Sequence, residues 1–390
     1  MNKVKLMDIC TKITDGTHHT PKYTESGVPF FRVTDITASN NSKKYISNEE
    51  HLELIKRCHP EKGDILYSKN GTIGVGKIVD WDFEFSIFVS LCLIKPNHKI
   101  VNTKYLNYFL NTSFALRQAL KYSKVATIKN LHLVEIKKLK VPLPPLAVQE
   151  RIAAILDAAD ELRQKDQALL KKYDDLIQSL FLDMFGDPVS NSKNLKVKPL
   201  GELCDFYSGK AWKKAELGSY GYKLVRISNL HKPNFPYWLY EGEMIEKLKV
   251  EAGDLLFSWA GVQASIDVYL YDGETGMLNQ HIYNLKPKKN SPNKEYLFNL
   301  LKLHLRNLRS SLGGGVGQFH LKKSDITSIK VLIPDEATMQ VFLDSLSILN
   351  DQKQQAQANI KKSEELFQSL LQKAFKGELV SELESKVSNK

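Results

Sequence analysis

Cysteine is scarce in this chain of 390 residues. There are four (Cys10, Cys58, Cys92 and Cys204), with no CxxC pair and no histidine nearby at ligand spacing. That argues against a disulfide framework and against a zinc site, and it suits a reducing compartment. Long apolar runs are missing as well: none approaches the 18 or so residues that a membrane helix needs. The opening residues, MNKVKLMDICTKIT, lack the continuous apolar core of a secretory signal. The expectation is a cytoplasmic protein with no membrane partner. What remains is an ordinary globular composition, 42% hydrophobic and 25% charged. The chain is long enough for two sizeable cores.

What the chain has in abundance is itself. KKYDDLIQSLFLDMF at 171–185 returns as KKSEELFQSLLQKAF at 361–375, and GDILYS at 63–68 returns as GDLLFS at 253–258, both 190 residues on. FRVTDI at 31–36 answers VRISNL at 225–230 at an offset of 194, so a loop between the two points is shorter in the second copy. A period this long marks a duplicated domain rather than a solenoid unit. Each copy is a mixed segment of about 145 residues followed by a polar, helix-patterned segment of about 40.

Charge divides along the same lines. The net +11 is the balance of +9 in residues 1–147, +8 in 188–334, −4 in 148–187 and −2 in 335–380. All the excess positive charge therefore sits in the mixed segments, in nearly equal doses. Basic modules attract polyanions, and duplex DNA carries about one phosphate charge per 1.7 Å of axis.

The mixed segments show short strand-like runs, VPFFRV (28–33), DILYS (64–68) and FSIFVSLCLIKP (85–96), cut by turn residues. Each also holds a helical patch, 104–122 matched by 294–312, and ends in a strand and proline, VPLPP at 141–145 and VLIP at 331–334. In the first helical segment, steps of three and four pick out Ile152, Ile155, Ala159, Leu162, Asp166, Leu169, Tyr173, Leu176, Leu180 and Met184. In the second they pick out Phe342, Leu346, Leu349, Lys353, Ala356, Ile360, Ser363, Phe367, Leu370 and Ala374. These are heptad seams. About 40 residues of helix span roughly 60 Å, more than a module this small can cover, so the two helices are expected to pair with each other, antiparallel.

At this point the motifs become recognisable. ITDGTHHTPKYTESGVPFFRVTDI (13–36), GDILYSKNGTIGVGKI (63–78), LPPLAVQERIAAIL (143–156) and MFGDPVSN (184–191), with LNQHIYNLKP (278–287) and AFKGEL (374–379) in the second copy, resemble the specificity (S) subunit of type I restriction–modification systems over essentially the whole chain. The second copy departs from the pattern where it has DEATMQ (335–340) in place of PLAVQE. The resemblance implies an α+β protein of two tandem α/β target-recognition domains, each followed by a long helix, the helices pairing as an antiparallel coiled coil about a pseudo-two-fold repeat. The corresponding division is 1–145 and 191–334 for the recognition domains, 146–190 and 335–380 for the helical spacers, and 381–390 for a flexible tail. It further implies a non-catalytic subunit that binds double-stranded DNA, each domain reading half of a bipartite site. The helices would set the gap and dock two methyltransferase (M) subunits, with restriction (R) subunits as further partners. No cofactor belongs to this chain; S-adenosylmethionine, and ATP with Mg where a restriction subunit is present, belong to the partners.

Candidate DNA contacts follow from loop position, charge and the match between copies. In the first domain they are His18, Thr20 and Lys22 after Asp15-Gly16-Thr17, Arg32 on its strand, Lys69, Asn70 and Thr72 at a turn, and Lys124, Thr127 and Lys129 further on. In the second they are Lys210, Trp212 and Lys213, then Arg226, Trp259 and Gln263, then Gly314, Gln318, His320 and Lys322. Arginine is the commonest reader of guanine, glycine lets backbone N–H groups approach phosphate, and lysine neutralises it. Each has a plainer alternative. Arg32 and Arg226 serve equally well in structural ion pairs, the glycine run 313–317 as a hinge, and the lysines on a solvated loop.

Enzyme motifs are absent or broken. GTIGVGK (71–77) lacks the Ser or Thr of a phosphate-binding loop, having Ile78 there, and no helix-forming run follows. His18 and His19 are adjacent and do not converge on one metal ion. No N/D-PP-Y/F adenine-methylation motif occurs, and Pro334-Asp335 with Glu384-Ser385-Lys386 imitates a nuclease pattern only by drawing on a polar tail. Two other readings stand beside the specificity subunit: a coiled-coil scaffold for proteins, and a stand-alone DNA binder without enzyme partners.

Overall fold

The computed structural model describes residues 2–37, 44–122, 130–232, 234–311 and 318–379. It divides into two compact units, Met1–Gln167 with Ala358–Lys390, and Ala168–Gln357. The expected tail at 381–390 lies outside the described residues.

In the first unit the main sheet has four antiparallel strands, in the order Cys10–Asp15, Leu91–Pro96, Ile65–Ser68, Gly76–Ile78. Ile65–Ser68 is an inner strand covered on both faces, and all four of its residues are buried. A second small sheet carries a parallel pair, Val28–Phe31 beside Ser86–Ile87. A ribbon of Lys3–Lys5 against Lys140–Pro142 joins the start of the domain to the strand before the long helix. The helical patch breaks into Thr103–Leu110, capped by Asn102, whose Oδ1 accepts from the Tyr105 N–H at 3.0 Å, and Ser113–Tyr122. Tyr105 is fully buried, and its hydroxyl donates to the Pro142 carbonyl at 2.8 Å.

The second unit repeats this plan. Its sheet runs Cys204–Ser208, Ile282–Pro287, Leu255–Ser258, Asp267–Leu270, again antiparallel, and the small sheet again has one parallel pair, Tyr222–Val225 beside Gly276–Leu278. Lys196–Pro199 pairs with Lys330–Ile333, and the Tyr296 hydroxyl donates to the Leu332 carbonyl at 3.0 Å, as Tyr105 does to Pro142. The helical patch here is one continuous helix, Lys294–Ser311.

The long helices run Leu146–Phe185 and Glu336–Lys376. In the first unit the Arg163 guanidinium meets Glu364 at 3.0 Å, and in the second Lys353 meets Asp174 at 2.5 Å. The first helix advances eleven residues between these contacts while the second recedes eleven, so they run antiparallel as expected. The seam read from the second helix is the inward one, with Phe342, Leu346, Ala356, Ser363, Phe367 and Ala374 buried. In the first helix three of the ten seam positions are corrected. Leu162, Leu169 and Leu176 are 45%, 40% and 50% exposed, and their C-terminal neighbours Arg163, Leu170 and Ile177 face inward instead. Choosing the most apolar residue at each step picked leucine over an arginine that the fold accommodates by stacking it on the Phe367 ring at 4.5 Å and pairing it with Asp160 and Glu364.

Burial also tunes titration. His281 and His304 are held below the usual imidazole value by desolvation, helped at His281 by the neighbouring His320. Depressed histidines stabilise the fold above their unfolded value, near 6.5, and that stability is lost as pH falls. Melting of the second unit should therefore move to lower temperature between pH 7.5 and 5.5, and the His304→Leu variant should show a smaller shift. Melting curves that coincide across that range would refute the assignment.

Candidate nucleic-acid interface

The loops that follow the central strand of each sheet converge on matched backbone frames. In the first domain the Lys69 N–H donates to the Ser90 carbonyl at 3.0 Å and the Lys69 carbonyl accepts from Leu131 at 2.8 Å. In the second the Trp259 N–H donates to the His281 carbonyl at 3.0 Å and its carbonyl accepts from Leu321 at 2.9 Å. The third strand of the frame is set by a glycine. A Cβ on Gly16 would lie 2.0 Å from the Ile87 carbonyl oxygen, and one on Gly209 would lie 1.9 Å from that of Asn279. Asp15 thus corresponds to Ser208, Lys69 to Trp259 and Ser90 to His281, on one scaffold with unlike chemistry.

The first domain builds a charged cluster there. Asp15 is 3% exposed, and its carboxylate accepts from buried Lys69 at 3.0 Å, from His18 Nε2 at 3.1 Å and from the Arg57 guanidinium. Burial pushes the Asp15 carboxyl up, but the Lys69 and His18 hydrogen bonds more than offset this and hold it below the usual value. His19 bonds to the Thr17 hydroxyl at 2.8 Å, and the Lys22 N–H donates to Glu50 at 3.2 Å, tying the loop to the helix Asn48–Ile55.

The second domain builds an aromatic one. Trp259 packs against His281 at 4.8 Å, Tyr283 at 5.9 Å and His320 at 6.0 Å between ring centroids. His281 holds a left-handed backbone, φ 73°, which is strained for a residue with a side chain. The Trp259 Nε1 is buried without a hydrogen-bond partner.

Several candidate residues are relocated by the structure. Lys69 is corrected: 5% exposed and paired with Asp15, its ammonium faces the interior rather than a phosphate. Trp212 is corrected too. It is 8% exposed, donates Nε1–H to the Leu278 carbonyl at 3.2 Å and supports the Lys210 ammonium at 4.5 Å, so its ring is part of a core. Lys210 also pairs with Glu216. Arg32 lies in an ion pair with Asp35 at 3.2 Å, and Arg226 stacks on Trp238 at 4.2 Å while donating to the Asn229 side chain and the Pro236 carbonyl. Asn70 faces Asn130 across a backbone bridge, and the amide oxygens of both are buried without partners. His18, Thr20, Lys22, Thr72, Lys213, His320 and Lys322 are exposed, and Gln263 is half-buried. Lys124, Thr127, Lys129 and Gly314 lie outside the described residues, as does the side chain of Gln318. Sequence reasoning missed Arg57 and His281. His281 stood inside LNQHIYNLKP, but nothing in the order of residues marked its strained backbone, and Arg57 meets Asp15 across 42 positions.

The phosphate-loop imitation resolves into a strand, Gly76–Ile78, with the Gly76 N–H on the Asn111 side chain at 3.0 Å and Lys77 over Trp81. Among the described residues, no group of three His, Cys, Asp or Glu could hold a metal ion, and no helix is long and apolar enough to cross a membrane.

The family of the type I restriction modification DNA specificity domain matches the chain twice, over residues 1–172 and 192–364. The chain belongs to that family. Among its relatives, a type I specificity subunit is similar along nearly its whole length. The putative type I restriction enzyme MjaX specificity subunit of Methanocaldococcus jannaschii is 24% identical over 94% of this chain and 91% of its own. Two solved structures share the fold. The S subunit of a type I restriction–modification system from M. genitalium superposes with a TM-score of 0.53 at 16% identity, covering 96% of each chain. A chain from a type I R-M system, solved for complex assembly and conformational transition, gives 0.54 at 16% identity, covering 96% of this chain and 97% of its own. As a type I specificity subunit, the protein carries its DNA-recognition role in two copies of one domain, and the matched frames at Lys69 and Trp259 show how far those copies have diverged.

Proposed function

We propose that the two domains read different halves of one bipartite DNA site, that the chain itself performs no chemistry, and that two methyltransferase subunits dock on it in the cytoplasm. The observation that carries this reading is the pairing of matched backbone hydrogen bonds with unlike side chains, Asp15 and Lys69 in one, Ser208 and Trp259 in the other. A shared scaffold with divergent tips suits two half-sites that differ in sequence.

Support for two docked partners comes from a groove that also occurs twice. In the first unit a cavity of about 990 Å³ lies among Tyr108, Asp160, Arg163, Phe367 and Leu371. In the second a cavity of about 480 Å³ lies among Phe298, Asn350, Lys353, Ile177 and Phe181, each the counterpart 190 residues away. The exposed Leu162, Leu169 and Leu176 add an apolar stripe to the first helix. Methyltransferases would bring S-adenosylmethionine, and a restriction subunit, where one joins, ATP with Mg. The long helices would set the separation of the half-sites.

The test is DNA binding and methylation by the chain with its methyltransferases. A single bipartite motif should be methylated in cells only when this chain is present. Binding to it should weaken steeply with salt, by about 10³-fold or more between 50 and 200 mM for six or more phosphate contacts. Inserting two helical turns into both long helices should lengthen the non-specific gap. A protein scaffold shows neither the salt dependence nor the motif, and a stand-alone binder copurifies with no methyltransferase.

A further inference from the structure

Arg57 follows the helix Asn48–Ile55, its backbone pinned by its own N–H to the Leu54 carbonyl at 3.3 Å and that of Cys58 at 3.1 Å. Its guanidinium touches one oxygen of Asp15, and the side chain is 54% exposed while the carboxylate beneath it is 4% exposed. Asp15 does not need it. The buried partner Lys69, 6% exposed, already neutralises the carboxylate at 3.0 Å, and His18 adds a second donor at 3.1 Å. Arg57 is therefore a surplus cation. It is held at one edge by a fixed acceptor, and no other acceptor is recorded for it among the described residues. A planar fork buttressed on one side keeps its remaining N–H groups pointed at solvent with little freedom left to lose.

The duplication says whether this arrangement belongs to the scaffold. Features the two domains share, the tyrosine-to-carbonyl bonds of Tyr105 and Tyr296 and the frames at Lys69 and Trp259, recur at matched positions. This one does not: Arg57 corresponds to Lys247, and Asp15 to Ser208. The buried Asp15–Lys69 pair is likewise confined to the first copy, so what sets Arg57 apart is that it is exposed and not needed to neutralise that pair. An oriented arginine present in one copy only is a reading device for that copy's half-site.

We propose that Arg57 is a specificity-determining residue of the first domain, reading guanine O6 and N7 of one G·C pair in the major groove, with Asp15 as its positioning residue. The inference rests on the DNA-reading role proposed above and adds the residue and the base. A bidentate arginine–guanine contact discriminates against a wrong base by roughly 5- to 150-fold.

The experiment uses the full chain assembled with its methyltransferases and a panel of duplexes in which every base pair of the methylated motif is changed in turn. The wild type should discriminate at a G·C pair of the half-site read by the first domain. Arg57→Ala should abolish discrimination at that pair and leave the other positions intact. Arg57→Lys retains the charge and the reach to Asp15 but not the fork, so it should also lose discrimination there. If Arg57→Ala fails to fold, Arg57→Lys decides. Asp15→Asn leaves buried Lys69 without its counter-charge, so it is assayed at a temperature where the first unit stays folded; there it should weaken discrimination at the same pair and at no other. A uniform loss across all duplexes, with the salt slope lower by about one, would make Arg57 a phosphate contact and overturn the proposal. Unchanged discrimination in Arg57→Lys would do so equally, leaving Arg57 a tether. A wild type that prefers no bipartite duplex fails earlier and sinks the DNA-reading role along with it.

Discussion

Asp15→Ala is expected to destabilise the first unit by ~3–5 kcal/mol, the usual penalty for stranding one member of a buried ion pair. The Lys69 ammonium is 6% exposed and has Asp15 as its recorded partner, so the variant leaves a cation in the interior with nothing opposite it. Removing both charges is a different matter. Asp15→Ala with Lys69→Met removes both charges and should recover most of the loss, because an apolar replacement of a buried pair is often neutral. Trp81 is the sole tryptophan of the first unit and reports its unfolding separately in urea. A single variant that costs under about 1 kcal/mol would show that the pair is not buried in solution. The pH dependence has a fixed sign. The Asp15 carboxyl lies below its ordinary value of 3.8, so its contribution is fully present above that value and is lost as pH falls through the lowered one.

Phe185→Ala should cost the second unit ~3–5 kcal/mol, the range for a phenylalanine deleted from a closed core. Its ring is fully buried, with Phe181 and Tyr296 both at 5.0 Å and Phe342 at 5.1 Å. The counterpart 190 residues on, Phe375, is half-buried against Tyr105 at 5.2 Å and Phe109 at 5.5 Å. Phe375→Ala should therefore destabilise the first unit by less. Urea titrations followed by Trp212, Trp238 and Trp259 for one variant and Trp81 for the other would separate the two. Equal losses would mean that the repeat imposes the same packing at both ends of its helices.

Much of this was legible in the order of residues. The offset of 190 located the two domains, and the charge division separated basic readers from acidic helices. Most of the second helix's seam could be read from apolar periodicity, although Leu371 rather than Leu370 is the buried leucine near its end. The first helix was harder. Its inward face carries Arg163, whose charge is satisfied by Asp160 and by Glu364 on the other helix, and a scan for apolar periodicity moves to Leu162 instead. The candidate contacts divide in the same way. Exposed loop residues such as His18, Thr20, Lys22 and Lys213 stayed at the surface, whereas Lys69 and Trp212 turned inward onto partners that sequence distance concealed.

The sequence by itself determined the duplication, the class of each segment and the family, since periodicity, charge and motif order are local or repeated properties that need no coordinates. Only the tertiary structure decided which cations are free to meet a ligand. A charge is spent or available according to what lies opposite it, and Asp15 spends Lys69 from 54 positions away while it leaves Arg57, from 42, exposed and in surplus. Pairings of that range are fixed by how strands and loops converge, a property of the folded chain that residue order does not display.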